Sequence, residues 1–292
     1  MAVTALYRYP VKSMLGESLT RATIDAGGVL GDRAYAVVDV ETGAVASAKV
    51  PRRWAALLDF AARYVAEPVA GESPPPVEIT FPDGSVLRSD DAGVDEALSA
   101  VLGRPVRLAS TRPENSGFEE LWPDIDGLAP QRLIDGTQVR REESGEPISR
   151  FDVAAMAPGS TGFFDLAVLH VLTDATLDRL RELAPDATFD ARRYRPNVVL
   201  GGDDGGFAEN DWPGRALALG DGAALKVSIT TMRCVMTTLA QGDLPDDAET
   251  LRAIAKHNRL EIPGMGVWAC AGVYADVTAG GSVGVGDAYV VS

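Results

Sequence analysis

The chain is short of the residues that build metal sites and disulfide frameworks. Two cysteines, Cys234 and Cys270, and two histidines, His170 and His257, serve 292 residues. No CxxC pair exists, so a thiolate zinc site or an iron–sulfur cluster held by this chain alone is excluded. A disulfide scaffold is not expected at this length, and two histidines cannot supply HExxH or another histidine-rich site. Positive charge is also scarce: 27 Lys and Arg stand against 42 Asp and Glu, a net charge of -15. The balance disfavours a nucleic-acid partner and an anionic membrane surface. It suits solubility or attraction to a basic protein. No run reaches the roughly 18 apolar residues of a membrane span. The opening MAVTALYRYPVKS lacks the apolar core of a signal peptide, so a cytoplasmic, reducing location and no membrane partner are expected. Neither GxGxxG nor a Walker A sequence occurs, which removes support for nucleotide binding.

What remains is an ordinary globular composition, 46% hydrophobic and 24% charged, long enough for one large core or two smaller ones. Short β-prone runs dominate the first third: Ala5–Tyr9, Arg21–Asp25, Tyr35–Asp39, Val77–Phe81 and Val86–Arg88, each closed by Pro, Gly or Asp turns. Asp91–Gly103 carries Val94, Leu98, Val101 and Leu102 on one helical face and stops at glycine. From Arg112 to Gly162 no period survives, and a long loop or meander is expected. Periodicity then returns. Leu166–Leu172 reads as a buried strand and Thr173–Leu183 as a helix capped by Thr173 or Asp174. Asn197–Leu200, Leu225–Thr230, Val273–Val277 and Ala288–Val291 read as strands, and Ala248–Ala255 as a helix. Alternating βαβ units are not evident. The expectation is an α+β fold, mostly β: two β-rich, barrel-like parts over 1–111 and 163–292, joined by a 112–162 connector, with a few flanking helices.

The chemistry-bearing residues are few. Cys234 follows a strand and has Arg233 beside it; an adjacent guanidinium favours the thiolate if its head points the same way. A lone cysteine near an apolar strand is more often a small buried hydrophobe. Arg192, Arg193 and Arg195 crowd four positions of an acidic chain, and Arg193 and Arg195 would share one side if the segment is extended. Arginine suits bidentate phosphate binding, although most such runs are solvated charge. Lysine occurs only at 12, 49, 226 and 256, and Lys12-Ser13 offers a cation and a hydroxyl after the first strand. Arg33 ends a turn. Thr173 and Thr176 stand at a helix N-terminus, which favours capping and can also hold an anion. Together these groups suit an anionic, phosphate-bearing ligand and one soft metal ligand. His170, His257, Cys270 and the four tryptophans, Trp54, Trp122, Trp212 and Trp268, read as packing, interface or surface positions.

Six ordered motifs carry a resemblance. They are Tyr9-Pro10-Val11-Lys12-Ser13, Gly31-Asp32-Arg33, Val171 to Leu177, Arg195-Pro196-Asn197-Val198-Val199, Arg233-Cys234-Val235-Met236-Thr237-Thr238, and Val283 to Asp287. In this order they resemble a MOSC-domain protein with its N-terminal β-barrel domain, in the manner of the mitochondrial amidoxime-reducing component and its bacterial relatives. The resemblance implies a molybdenum–molybdopterin cofactor (Moco) held between two β-rich parts, with Cys234 as the metal's protein ligand and the catalytic residue. It implies that Lys12, Ser13, Arg33, Thr173, Thr176, Arg195, Asn197 and Arg233 bind the cofactor. It implies reduction of a small N-hydroxylated or N-oxygenated substrate, with electrons from a separate reductase. A cofactor carrier without turnover, or a persulfide carrier at Cys234, are the alternatives. Pyridoxal phosphate enters only as an association of the family; with no sulfurase domain upstream, a complete cofactor sulfurase is not expected. Met14 stands where relatives often carry Cys and could line the substrate side. Lys49 stands where some relatives have Arg.

Overall fold

Along the strand Ala223–Met232, Ala223, Leu225 and Val227 are buried while Lys226 between them is exposed, the alternation of a sheet with one covered face. This strand pairs antiparallel with Gly266–Ala279. The two lie within a nine-stranded sheet ordered Glu17–Leu19, Ala2–Arg8, Val198–Gly201, Leu169–Thr173, Gly266–Ala279, Ala223–Met232, Ala216–Leu219, Tyr289–Val291, with Arg259–Ile262 added on Gly266–Ala279. The computed structural model describes residues 1–114, 116–153, 160–202 and 205–292. Over these the fold is α+β and mostly β: five separate sheets and a few short helices. Among the described residues the strand order of the large sheet ends at Tyr289–Val291, yet the Val3 amide bonds the Asp287 carbonyl at 2.9 Å and the Gly286 amide bonds the Val3 carbonyl at 2.8 Å, so the first strand also meets the segment leading into the last.

The first strand belongs to the sheet built mainly by the C-terminal half. Ala2–Arg8 pairs antiparallel with Val198–Gly201, and Val3 and Leu6 pack with Leu169, Val171, Leu200 and Val227 in one core. Burying such side chains is the main stabilising contribution, about 1.5–3 kcal/mol each. A second core gathers Val11, Met14, Val37, Phe60, Ile79 and Leu98. Met14 is fully buried in that core and lines neither of the cavities that border Cys234, contrary to the expectation that it lines a substrate side. One βαβ unit is present after all. Leu169–Thr173 runs parallel to Val198–Gly201, and the crossover carries the helix Asp174–Leu183, capped by Thr173, whose hydroxyl accepts from the Thr176 amide at 3.1 Å.

The 112–162 segment is not a structureless connector. Strands Gly117–Leu121, Pro147–Asp152 and Gln138–Arg141 make an antiparallel three-stranded sheet, and helix Gln131–Thr137 lies against it. The polar residues that hid the period are consumed internally: Glu119 pairs with Arg53, and Glu120 with Lys49. With both faces of Gly117–Leu121 covered, alternation disappears from the sequence. Residues 115 and 154–159 of that segment lie outside the described residues.

Candidate functional site

Three chain reversals bring the site together. After Ala2–Arg8 the chain turns at Lys12 and Ser13, after Val29 it turns at Arg33, and the helix Ala191–Tyr194 ends at Arg195. Ser13, Arg33 and Arg195 all hold positive φ, at 65°, 50° and 53°; Phe207 is the fourth such non-glycine among the described residues. Each costs about 1–3 kcal/mol, and such strain concentrates where a site must be shaped. Cys234 enters from another direction. The long strand ends at Met232, the Arg233 amide still bonds the Ala269 carbonyl at 2.9 Å, and Cys234 then leaves the sheet into the turn Val235–Thr238.

These turns surround one cavity of about 100 Å³, about 740 Å³ with its solvent-open mouth, lined by Lys12, Ser13, Arg33, Arg195, Asn197, Arg233 and Cys234 together with residues the sequence did not single out. Thr173 and Thr176 do not join it. Both hydroxyls donate to the buried carboxylate of Glu209, at 2.8 and 2.7 Å, so their hydrogen-bonding capacity is spent on the fold. Asn197 reaches the cavity wall, but its amide bonds Asp32 at 2.9 Å and its carbonyl oxygen accepts from the His170 amide, a bracing role. Ser13 Oγ accepts from the Ala48 amide at 3.1 Å.

The cavity is positive although the chain is acidic. Arg33 and Arg195 hold their guanidinium carbons 4.5 and 4.2 Å from the centre of the buried Tyr9 ring. Asp32 anchors Arg33 and also accepts from the Tyr9 amide at 2.7 Å. Arg195 donates to the Met14 carbonyl at 2.8 Å and, among the described residues, makes no ion pair with a carboxylate, although Asp32 and Asp165 lie near enough to favour its charge. Burial, with Arg33 beside it, pushes its pKa down to about 10. Lys12 pairs with Asp165 and donates to the Phe163 carbonyl at 3.0 Å. Lys49 reaches Glu120 at 3.0 Å and Asp165 at 3.3 Å. Burial would raise Asp165, but the two lysines override it and hold the carboxyl below its usual range. Burial likewise works against the Lys49 charge, and Asp165 and Glu120 outweigh it, so Lys49 stays firmly protonated.

Cys234 receives only a small part of its electrostatic help from its neighbour Arg233. Arg233 turns its head away, to His170 Nε2 at 3.3 Å and the Tyr194 carbonyl at 2.8 Å. Burial pushes the Cys234 thiol up, and the largest opposing influence is Lys49. His170, expected to be a bland packing residue, lines the cavity; burial and Arg233 keep it neutral. It is seated over Gly272, where a Cβ would fall 2.4 Å from its Nε2. Lys49, Asp165, His170 and Tyr274 were missed as site residues. The rarity of lysine was the available signal for Lys49, since two of the four lysines line this cavity.

The three arginines of 192–195 divide their work. Arg192 pairs outward with Asp190 and Asp243. Arg193 is fully buried and donates to the carbonyls of Thr188, Thr237, Leu239 and Pro245. Arg195 alone reaches the anchored cluster at Tyr9. The segment is a short helix ending in a left-handed residue, so the shared face expected of an extended strand does not arise. Among the described residues no three His, Cys, Asp or Glu gather to hold a bare ion.

Comparison with known proteins places two domains on the chain. The MOSC N-terminal beta barrel domain matches residues 1–67, and the MOSC domain matches residues 159–290. No curated protein matches the chain. Among solved structures, the YUAD protein from Bacillus subtilis aligns over 99% of this chain and 94% of its own, at 11% identity and a TM-score of 0.45. YiiM from Geobacillus stearothermophilus aligns over 43% of this chain and 54% of its own, at 17% identity and a TM-score of 0.31.

Proposed function

The chain belongs to the MOSC-domain proteins, and from that premise we propose that its cationic cavity holds the phosphate-bearing pterin of a molybdenum cofactor. Cys234 is the metal's protein ligand. The loaded protein is an oxidoreductase that removes oxygen from N-hydroxylated or N-oxygenated small molecules, with electrons from a separate protein.

The observation that carries this reading is a surplus of buried positive charge around one thiol. Lys12, Arg33, Lys49, Arg195 and Arg233 face only Asp32, Asp165 and Glu120, in a chain of net charge -15. Burying a cation is costly unless hydrogen bonds satisfy it, as four carbonyls do for Arg193, and the cavity cations are not satisfied to that extent. Among the described residues Arg195 makes no ion pair with a carboxylate, and Arg233 Nε is buried without a hydrogen-bond partner. The oxygens of a phosphate satisfy such donors with strong charge-assisted bonds.

When bound, the cofactor supplies two-electron redox chemistry at a metal. The chain's own part is to hold and tune. Arg33 and Arg195, stacked on Tyr9 and fixed by Asp32, grip the phosphate. Asp165 holds Lys12 and Lys49 in place. Lys49 keeps a positive charge toward Cys234 and favours its thiolate form, the form that ligates metal. The direct test compares molybdenum-loaded wild type with Cys234→Ala, using a chemical electron donor and hydroxylamines, amidoximes and N-oxides. Turnover is expected from the wild type and none from the variant. Equal turnover would remove the ligand role; bound molybdenum with no turnover in the wild type would make the protein a cofactor carrier.

A further inference from the structure

A second cavity, of about 250 Å³, adjoins the first and shares Cys234, Lys49, Asp165, Arg233 and Tyr274 with it. Its character is opposite. Phe118, Trp122, Leu133, Phe151, Trp268 and Tyr274 supply its aromatic and part of its aliphatic lining. The polar handles of both indoles are already engaged: Trp122 Nε1 donates to Ser149 Oγ at 2.9 Å, and Trp268 Nε1 to the Met265 carbonyl at 3.1 Å. The two indole rings lie 5.7 Å apart at 56°. A ligand therefore meets π faces and hydrocarbon everywhere except at the end shared with Cys234, where Lys49 sits between Glu120 and Asp165.

We propose that this cavity receives the aromatic ring of a neutral substrate and presents its nitrogen–oxygen group toward Cys234. An apolar cavity of about 150 Å³ already accepts benzene, so the space here takes a ring with one substituent. Offset and edge-on contacts with five aromatic side chains favour a flat π system over an alkyl chain. The head group is uncharged, because Lys49 is already matched by Glu120 and Asp165, and Arg233, the other cation of the lining, turns its head to His170 and the Tyr194 carbonyl. Phe118, Glu120, Trp122, Leu133 and Phe151 come from the segment between the two matched domains, which makes that segment the specificity element. The assignment rests on the oxidoreductase reading for its chemistry and on the cavity alone for its occupant.

The test uses the molybdenum-loaded protein, its Leu133→Trp variant, which fills the cavity from helix Gln131–Thr137, and Phe151→Ala, which enlarges it. Calorimetry with benzamide and acetamide reads binding without turnover. Benzamide is expected to bind saturably to the wild type and at least tenfold more weakly to Leu133→Trp, with acetamide binding to neither. In turnover, benzohydroxamic acid is expected to exceed acetohydroxamic acid by about 10–100-fold in kcat/KM, the scale of a buried apolar group. Leu133→Trp should erase that preference through KM while retaining pterin. Phe151→Ala should move it toward the naphthyl analogue, which also covers the case in which the larger residue prevents folding. Equal kcat/KM for both hydroxamates with no benzamide binding overturns the aromatic site and leaves the redox reading standing. Benzamide binding blocked by Leu133→Trp, with neither hydroxamate reduced, supports the cavity and overturns the redox reading instead. Loss of pterin in a folded Leu133→Trp shows that the cavity houses cofactor, which also overturns the proposal.

Discussion

Replacing Arg195 by methionine separates the cost of the cationic cavity from its use. Methionine keeps an unbranched apolar stem at this left-handed position, where any non-glycine side chain is strained alike, but removes the charge. A guanidinium pushed down to about 10 by burial and by Arg33 holds its charge in the fold at a cost of roughly 2–3 kcal/mol, allowing for partial exposure. The sign follows from the direction: a base with a lowered folded pKa penalises the fold at every pH below about 10, and the penalty fades only above it. An assay at pH 7 therefore sees all of it. Against this, the variant loses the bond to the Met14 carbonyl, about 1 kcal/mol. It also loses the stacking on Tyr9, about 0.5–1 kcal/mol. The ligand-free variant should gain about 1 kcal/mol, near 2 °C in Tm for a chain of this length. With pyrophosphate present the order should invert. The wild type gains about 2.7 kcal/mol at a hundredfold excess over Kd, and the variant gains little. Thermal melts of both proteins with and without pyrophosphate read the crossing. A ligand-free variant that melts lower than wild type, and that pyrophosphate stabilises equally, would refute the idea that Arg195 is held ready for an anion.

Three further outcomes follow from the same contacts. Asp32→Ala strips the anchor from Arg33, the Tyr9 amide and Asn197, and should cost about 3–5 kcal/mol in chemical denaturation, as breaking a buried ion pair does. Thr173→Val removes a helix cap and a Glu209 bond, so it should cost about 1–2 kcal/mol yet leave pterin content unchanged; a specific loss of pterin from folded protein would return Thr173 to the binding set. Cys234 alkylation by iodoacetamide should still be rising above the ordinary thiol pKa and should slow several-fold at pH 8 in Lys49→Met. Cys270, fully buried with its thiol pushed up to about 11, should stay silent; a rate indifferent to Lys49 would contradict the electrostatic link.

How much the sequence revealed depended on whether a residue acts locally or through distant pairing. Arg21–Asp25 and Val86–Arg88 were legible to the residue because turn chemistry bounds them. The cationic lining was legible in part: Lys12, Arg33 and Arg195 stand at turns in the sequence, and the structure brings all three to one cavity. The strands of 117–152 were not legible, since Glu119 and Glu120 occupy positions matched by Arg53 and Lys49, far away in sequence, with Arg140 also reaching Glu119. Thr173 and Thr176 looked like anion ligands because a helix N-terminus offers the same groups to a ligand as to the fold. Glu209, reached only in three dimensions, decides between them. His170 joined the site for the same kind of reason, through a strand pairing that puts Gly272 beneath its ring.

The most direct test is joint molybdenum and pterin analysis of wild type and Cys234→Ser purified from a molybdenum-replete host. The account predicts near-equal molybdenum and pterin per chain in the wild type, and pterin retained with altered metal coordination by X-ray absorption in the variant. A wild-type protein blank for both, or identical metal–sulfur coordination in the two proteins, would contradict it.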